Sequence, residues 1–314
     1  MTTGKSDYFL KRWRYFERSL RREVAHATKQ QLTVHCWKAS TLSSLISRLA
    51  KRHKRRLKTF PTSIEVMRRL ESAGWLTPIK VKATKSRVRL YLMEASAAKN
   101  QPVDSYELLQ AYLPAGVVSY FGALAFFSLT TQTPPFYHIG RLLSGEPQEP
   151  PLDLPSPSKR AVKRNPFGTE LFRFEGTIYY ETRRYRALTP GIQLREVGPR
   201  TWLRITTLEQ TLLDTLLQPT RCGGEAVIFE AWDKARDTFD AERMADHLIQ
   251  IGREDLWRRV GAVLNLVGAK VDGTSLADGL HKVRARVNRD SPEIPLLPGL
   301  HFTDRDGEWL VRVP

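Results

Sequence analysis

The sequence predicts an α+β protein of two modules, and three observations predict it. The first is charge. The 314 residues carry a net +17, yet residues 1–95 hold 23 basic and 6 acidic side chains while residues 96–314 hold 27 of each. The second is that the basic third reads as helices followed by two short strands. The third is that the neutral remainder mixes apolar helical stripes with alternating, strand-like runs. A basic module joined to a neutral one points to a polyanion partner for the first alone. A hydrophobic fraction of 41% is enough for packed cores. The charge step places the domain boundary at 95/96.

In the basic third, residues 7–29 read as one amphipathic helix. Phe9, Trp13, Phe16, Leu20, Val24 and Ala27 fall on one face, and Lys11, Arg12, Arg14, Arg18, Arg21 and Arg22 on the other. A second helix runs from Ser40 to about Arg55, with Leu42, Leu45, Ile46 and Leu49 inward. It ends in a run containing Lys51, Arg52, Lys54, Arg55, Arg56 and Lys58, a ready surface for phosphates. A third helix spans about Thr62–Ala73. Thr62 or Ser63 caps it, Ile64, Met67 and Leu70 form its inner stripe, and Gly74 stops it. Trp75–Val81 and Arg87–Met93 then read as two strands around the polar Lys82–Ser86.

Helix, helix, glycine and basic hairpin is the element order of a winged helix-turn-helix domain, in which the second helix of the pair enters the major groove. The outward residues of that helix are Ser63, Glu65, Arg68, Arg69 and Ser72. An arginine there pairs bidentately with guanine, worth about 1–3 kcal/mol of discrimination. Lys80, Lys82, Lys85, Arg87 and Arg89 on the hairpin neutralise phosphates and so add affinity without sequence information. Taken singly, Arg68 and Arg69 fit equally well as ordinary solvent-facing residues, and a basic platform for RNA fits the same charges. His26, His35, Cys36 and His53 match no zinc spacing.

In the neutral two-thirds, Ser105–Tyr112 reads as a short helix and Val117–Leu129 as a helix apolar nearly all round, hence buried. Phe136–Gly140 is extended. Residues 144–165 hold five prolines between Pro147 and Pro157 and read as an exposed loop. Leu171–Phe174, Thr177–Glu181, Ile192–Val197 and Trp202–Ile205 read as strands. Thr206 or Thr207 caps a helix through Leu216 that Pro219 and Gly223–Gly224 end. Glu209 suits its first turn, and Asp214 at mid-helix needs a partner if buried. Helices follow at Glu225–Lys234, Ala241–Ile251 and Leu256–Leu266.

VVSYFGALAFFSLTTQTPP and RITTLEQTLLDTLLQPTRCGG, behind a winged-helix order, resemble the AbiEi family of type IV abortive-infection antitoxins over about Thr62–Ala269. The anchors are Ser119, Ala123 and Leu124, then Thr207, Glu209, Leu213, Asp214, Pro219, Gly223 and Gly224. The longer, more basic N-terminus and the proline-rich loop depart from the family pattern. The resemblance implies a winged-helix domain followed by an α/β antitoxin domain. It implies an autorepressor that binds double-stranded DNA at operator repeats, alone or as an oligomer, in a phage-defence locus. It also implies a C-terminal domain that counteracts a nucleotidyltransferase-fold toxin without needing a stable complex with it.

Other classes fit less well. The longest apolar stretch is far short of the roughly 20 residues a spanning helix needs, and the N-terminus has no apolar signal region, so a cytoplasmic protein without a membrane partner is expected. Two cysteines make no disulfide framework. A nuclease would use Glu170, Glu175, Glu181, Glu209, Asp214, Asp233 or Asp237, but no lysine joins Glu175 and Glu181 on their strands. There is no phosphate-binding loop or nucleophile elbow signature, so neither an enzyme nor a cofactor or metal is expected. A DNA-binding regulator whose C-terminal domain senses a ligand or oligomerises is the alternative.

Overall fold

A computed structural model describes residues 13–20, 22–23, 35–53, 62–83, 88–93, 103–145, 165–198, 201–288 and 290–314. The architecture is mixed α+β. The chain divides into two compact units. One is Met1–Pro114 with Arg195–Leu203, and the other Ala115–Leu194 with Arg204–Pro314. The first unit thus runs past the charge step at 95/96, and a buried carboxylate is one link that holds the added segment. Glu107 Oε1 accepts from the backbone N–H groups of His35 (2.7 Å) and Cys36 (3.0 Å), which ties the helix carrying it to the first unit.

In the first unit, residues 13–20 and 22–23 are helical, with Phe16 and Leu20 buried. The remainder of the helix expected over 7–29 lies outside the described residues. Strand β1 (Cys36–Lys38) leads into helix α1 (Ala39–His53), whose Leu42, Leu45, Ile46 and Leu49 are buried, as their spacing requires. Helix α2 (Ser63–Ser72) is capped by Thr62, whose hydroxyl accepts from Glu65 N–H. Gly74, at φ 70°, turns the chain out of it as only glycine does cheaply. Strands β2 (Leu76–Ile79), β3 (Lys82–Ala83) and β4 (Leu90–Met93) follow, then helix α3 (Ser105–Tyr112). β1, β4 and β2 form an antiparallel sheet in that order, with Cys36 opposite Leu92 and Ile79 opposite Leu90.

The inner stripe expected for α2 needs one correction. Val66, Met67 and Leu70 are buried, but Ile64 is 68% exposed. Helical spacing explains this, because Val66 and Leu70 are four apart and Met67 lies beside both, leaving Ile64 on the far side.

The second unit holds a mixed sheet. Its strands β5 (Val117–Ser119), β6 (Phe136–Leu143), β7 (Thr169–Phe174) and β8 (Thr177–Tyr185) run in the order β7-β8-β6-β5, and two strands that straddle the division of the chain, β9 (Ile192–Gly198) and β10 (Thr201–Thr206), continue it in the order β5-β10-β9. The buried helix expected over Val117–Leu129 is instead β5 followed by a short helix α4 (Phe121–Phe126). Tyr120 separates them at φ 62° and ψ −137°, a conformation that costs a non-glycine residue about 1–3 kcal/mol. An apolar run buried on all sides satisfies a central strand as well as a helix, so its periodicity alone could not choose. Most of the proline-rich loop lies outside the described residues.

Helices α5 (Leu208–Leu217), α6 (Glu225–Ala235), α7 (Ala241–Ile251), α8 (Glu254–Val267) and α9 (Ser275–Arg284) bury one continuous core around Leu213, Trp232, Leu248 and Val260. The last segment joins it. β11 (Ile294–Pro295), β13 (Val311–Val313) and β12 (Asp304–Asp306) make a small sheet in that order. The buried Arg258 holds this sheet by donating to the carbonyls of Pro292, Trp309 and Leu310, each at 2.8 Å. Trp309 lies against Gly261, where a Cβ would overlap the indole. Gly261→Ala is therefore expected to cost about 1–3 kcal/mol by overpacking. Urea unfolding reads this directly, and an unchanged midpoint would refute the tight fit.

Candidate nucleic-acid interface

The exposed face of α2 is the first place to look for readout. Its outward side chains are Ile64, Arg68 and Ser72, at i, i+4 and i+8. Ser72 Oγ donates to the Arg68 carbonyl at 2.9 Å, and the other expected residues are engaged as well. Ser63 Oγ accepts from Ser43 Oγ at 2.8 Å, which fastens the first turn of α2 to α1. Glu65 is ion-paired with Arg69 at 3.0 Å, and the Arg69 guanidinium also lies over the Trp13 ring at 5.2 Å. Arg69 is thus half-buried and held to the unit, whereas Arg68 reaches solvent. The sequence treated the two as equivalent, because adjacent arginines on a helix differ only in what lies beneath them.

The expected phosphate contacts are placed in part. Lys51 and Arg52 are exposed at the end of α1, and Arg52 is paired with Glu23. Lys80, Lys82 and Arg89 are exposed. Because Ile79 pairs with Leu90 across the sheet, Lys80 and Arg89 follow at the same end of the β2–β4 pair, where the Arg89 side chain also hydrogen-bonds the Tyr91 hydroxyl. Lys54, Arg55, Arg56, Lys58, Lys85 and Arg87 lie outside the described residues.

The anchors from the second unit converge in one packed region. Ser119, Ala123, Leu124, Leu213 and Asp214 are buried, and Thr207 caps α5 by accepting from Gln210 N–H at 3.2 Å. The Thr207 hydroxyl also meets His247 Nε2 at 3.1 Å, a partner the sequence did not supply for that histidine. Glu209 accepts from Asp240 N–H at 3.1 Å, joining α5 to the cap of α7. Pro219 opens a short 3-10 turn that Gly223 closes at φ 94°, with Gly224 following at φ 86°.

Asp214 has the partner its burial demands. Arg184, 5% exposed, donates to both carboxylate oxygens at 2.8 and 2.7 Å. Burial by itself would lower the Arg184 pKa, but Asp214 overrides it and the net direction is upward. Gln210 Nε2 donates to the same carboxylate at 3.0 Å, and the Arg184 guanidinium lies over the Tyr120 ring at 4.9 Å. Next to it, His138 Nε2 faces the Phe167 carbonyl at 3.0 Å, so that nitrogen carries the proton. Burial, then the positive charge of Arg221, lowers the His138 pKa to about 3. His138 Nδ1 and the Oγ of its cross-strand neighbour Ser119 have no hydrogen-bond partner among the described residues.

The carboxylates weighed for a nuclease are mostly spoken for, one at a time. Glu170 pairs with Arg173, Glu181 with Arg141, Asp214 with Arg184, and Asp233 and Asp237 with Arg236. Among the described residues no three acidic, histidine or cysteine side chains gather as a metal site, and no helix is long and apolar enough to cross a membrane.

No family model matches the chain, and no curated protein matches it significantly. Among solved structures, the chain is similar to a crystal structure of the RV2827C protein from Mycobacterium tuberculosis. The two share 14% sequence identity and a TM-score of 0.52, over 93% of this chain and 90% of that one. The likeness is one of fold.

Proposed function

We propose that this protein is a DNA-binding transcriptional regulator whose first unit is a winged helix-turn-helix domain, with α2 as its recognition helix. The observation that carries this reading is the arrangement of the first unit. Two helices precede the antiparallel β2–β4 pair, α2 turns outward a face that stays exposed among the described residues, and Lys80, Arg89 and, on β3, Lys82 are exposed beyond that pair. The charge step supports it, since the whole excess of +17 falls within residues 1–95. On this reading the hairpin end follows the phosphate backbone and α2 follows the groove.

Equilibrium binding of the full chain to duplex DNA, including the segment upstream of its own gene, tests the proposal. The logarithm of the association constant should fall with log salt by about 0.9 per phosphate neutralised. Replacing Lys80 or Arg89 with alanine should flatten that slope by about 0.9 and weaken all duplexes alike. Undetectable or salt-independent binding refutes the reading.

The antitoxin role belongs, on the same proposal, to the second unit. Its support is the resemblance alone, because the anchor residues described above are used to build the fold. Co-expression with a neighbouring nucleotidyltransferase-like toxin tests it. Growth should be restored by the full chain, and absence of rescue removes the role. If rescue fails while DNA binding holds, the second unit serves a regulator of another kind.

A further inference from the structure

Every aliphatic side chain of α2 except one is buried: Val66, Met67 and Leu70 are 0, 9 and 1% exposed, and Ile64 is 68% exposed. A single exposed isoleucine is unremarkable in itself. Here, however, it heads a line of three outward residues on the helix already assigned to the groove. Both acidic side chains of α2 are drawn away from that line. Glu65 is paired with Arg69, and Glu71 accepts from the Tyr91 hydroxyl at the sheet. What remains facing outward is an aliphatic group, a guanidinium and a hydroxyl that donates to the Arg68 carbonyl, with both carboxylates of α2 held by partners.

We infer that Ile64 is a base-reading residue that recognises the C5-methyl group of thymine in the major groove, with Arg68 one turn further along reading the adjacent part of the site. The inference rests on the DNA-binding reading above. Its chemistry is specific. Of the four standard bases thymine alone presents a methyl group in the major groove, and apolar side chains are the groups that meet it. In helix-turn-helix docking the N-terminal residues of the second helix reach the base edges, and Ile64 is in the first turn of α2. That turn is held in place by the Thr62 cap and the Ser43–Ser63 hydrogen bond, so the isoleucine is presented from a fixed element. An RNA duplex lacks the methyl and its deep, narrow major groove does not admit side chains, which sets DNA apart as the ligand.

The test uses the full chain and duplexes recovered by selection from a randomised pool. Each thymine is replaced in turn by deoxyuridine, which removes only the methyl group. At one or two positions the wild-type protein should lose about fourfold in affinity, the value of one methyl-sized apolar contact. Ile64→Ala should bind the thymine duplex about fourfold more weakly and be indifferent to the uracil replacement at those same positions. Because Ile64 is exposed, its replacement should leave the thermal melt unchanged, and Ile64→Val, which keeps an apolar contact, should retain part of the discrimination. If the wild type binds duplex DNA with the expected salt dependence yet ignores uracil at every position, the assignment of Ile64 is overturned while the DNA-binding reading stands. If it binds no duplex DNA, or binds an RNA duplex equally well, both fall.

Discussion

Asp214→Asn is expected to lower the free energy of unfolding by about 3–5 kcal/mol, because it leaves Arg184 charged and unpaired in the interior. The two residues share two hydrogen bonds, of 2.8 and 2.7 Å, and their side chains are 3 and 4% exposed, so solvent does not replace the lost partner. Neither does a neighbour. Thr189 Oγ1 accepts one bond from Arg184 Nε at 3.2 Å, and Gln210 donates to Asp214, which leaves it facing an amide after the substitution. The cost is that of stranding a charge rather than the worth of the pair. Replacing both residues with apolar ones, Arg184→Met with Asp214→Leu, should therefore recover most of the loss. Urea unfolding of the two variants beside the wild type decides it. A loss below about 1 kcal/mol in Asp214→Asn would show the pair is not desolvated as described.

Acid should destabilise the protein through His138. The native ring keeps its proton count down to about pH 3, whereas in the unfolded chain it takes up a proton near pH 6.5. Between those values the unfolded state binds the additional proton, so lowering the pH favours unfolding by up to about 1.4 kcal/mol per unit. Above pH 6.5 the ring contributes nothing to the slope, and below about 3 the penalty stops growing. Carboxylates titrate in the same window, so the informative quantity is the difference between wild type and His138→Phe. That variant keeps an aromatic ring among Tyr120, Phe136 and Tyr180 and loses the titrating nitrogens. Its stability should fall less steeply between pH 6.5 and 4 than that of the wild type. Parallel curves would place the ring in a solvated setting.

The sequence announced the need for a partner to Asp214 but not its identity. Arg184 stands 30 residues earlier, with two further arginines, Arg183 and Arg186, within two positions of it. Only the parallel pairing of β6 with β8 settles which of Arg183 and Arg184 turns inward. Similarly, the caps of α2 and α5 could be read locally, since a threonine bonding two or three residues ahead needs no tertiary information. The interface was legible as a set of residue types and not as a surface. Nothing in the spacing of Ile64 told whether Val66 or Ile64 would share the core with Leu70, and nothing in adjacent arginines told which one Trp13 would cover. Tyr120 was hidden for a different reason. A positive φ at a bulky residue is imposed by what packs around it, here the elements on either side of a strand-to-helix break.

The anchoring of the last strands by Arg258 and Gly261 bears on the order of synthesis. Helix α8 is translated some forty residues before the segment that covers it, with Trp309 lying 48 positions beyond Gly261. Until that segment emerges, the nascent second unit carries an open apolar slot on α8 and a buried-type arginine without its three carbonyls. The first unit's helices and three-stranded sheet have no such dependence on the final residues. The head of the molecule is thus available to fold while the body still waits for its closing strands, and a chain interrupted before Trp309 would display that slot to chaperones and proteases.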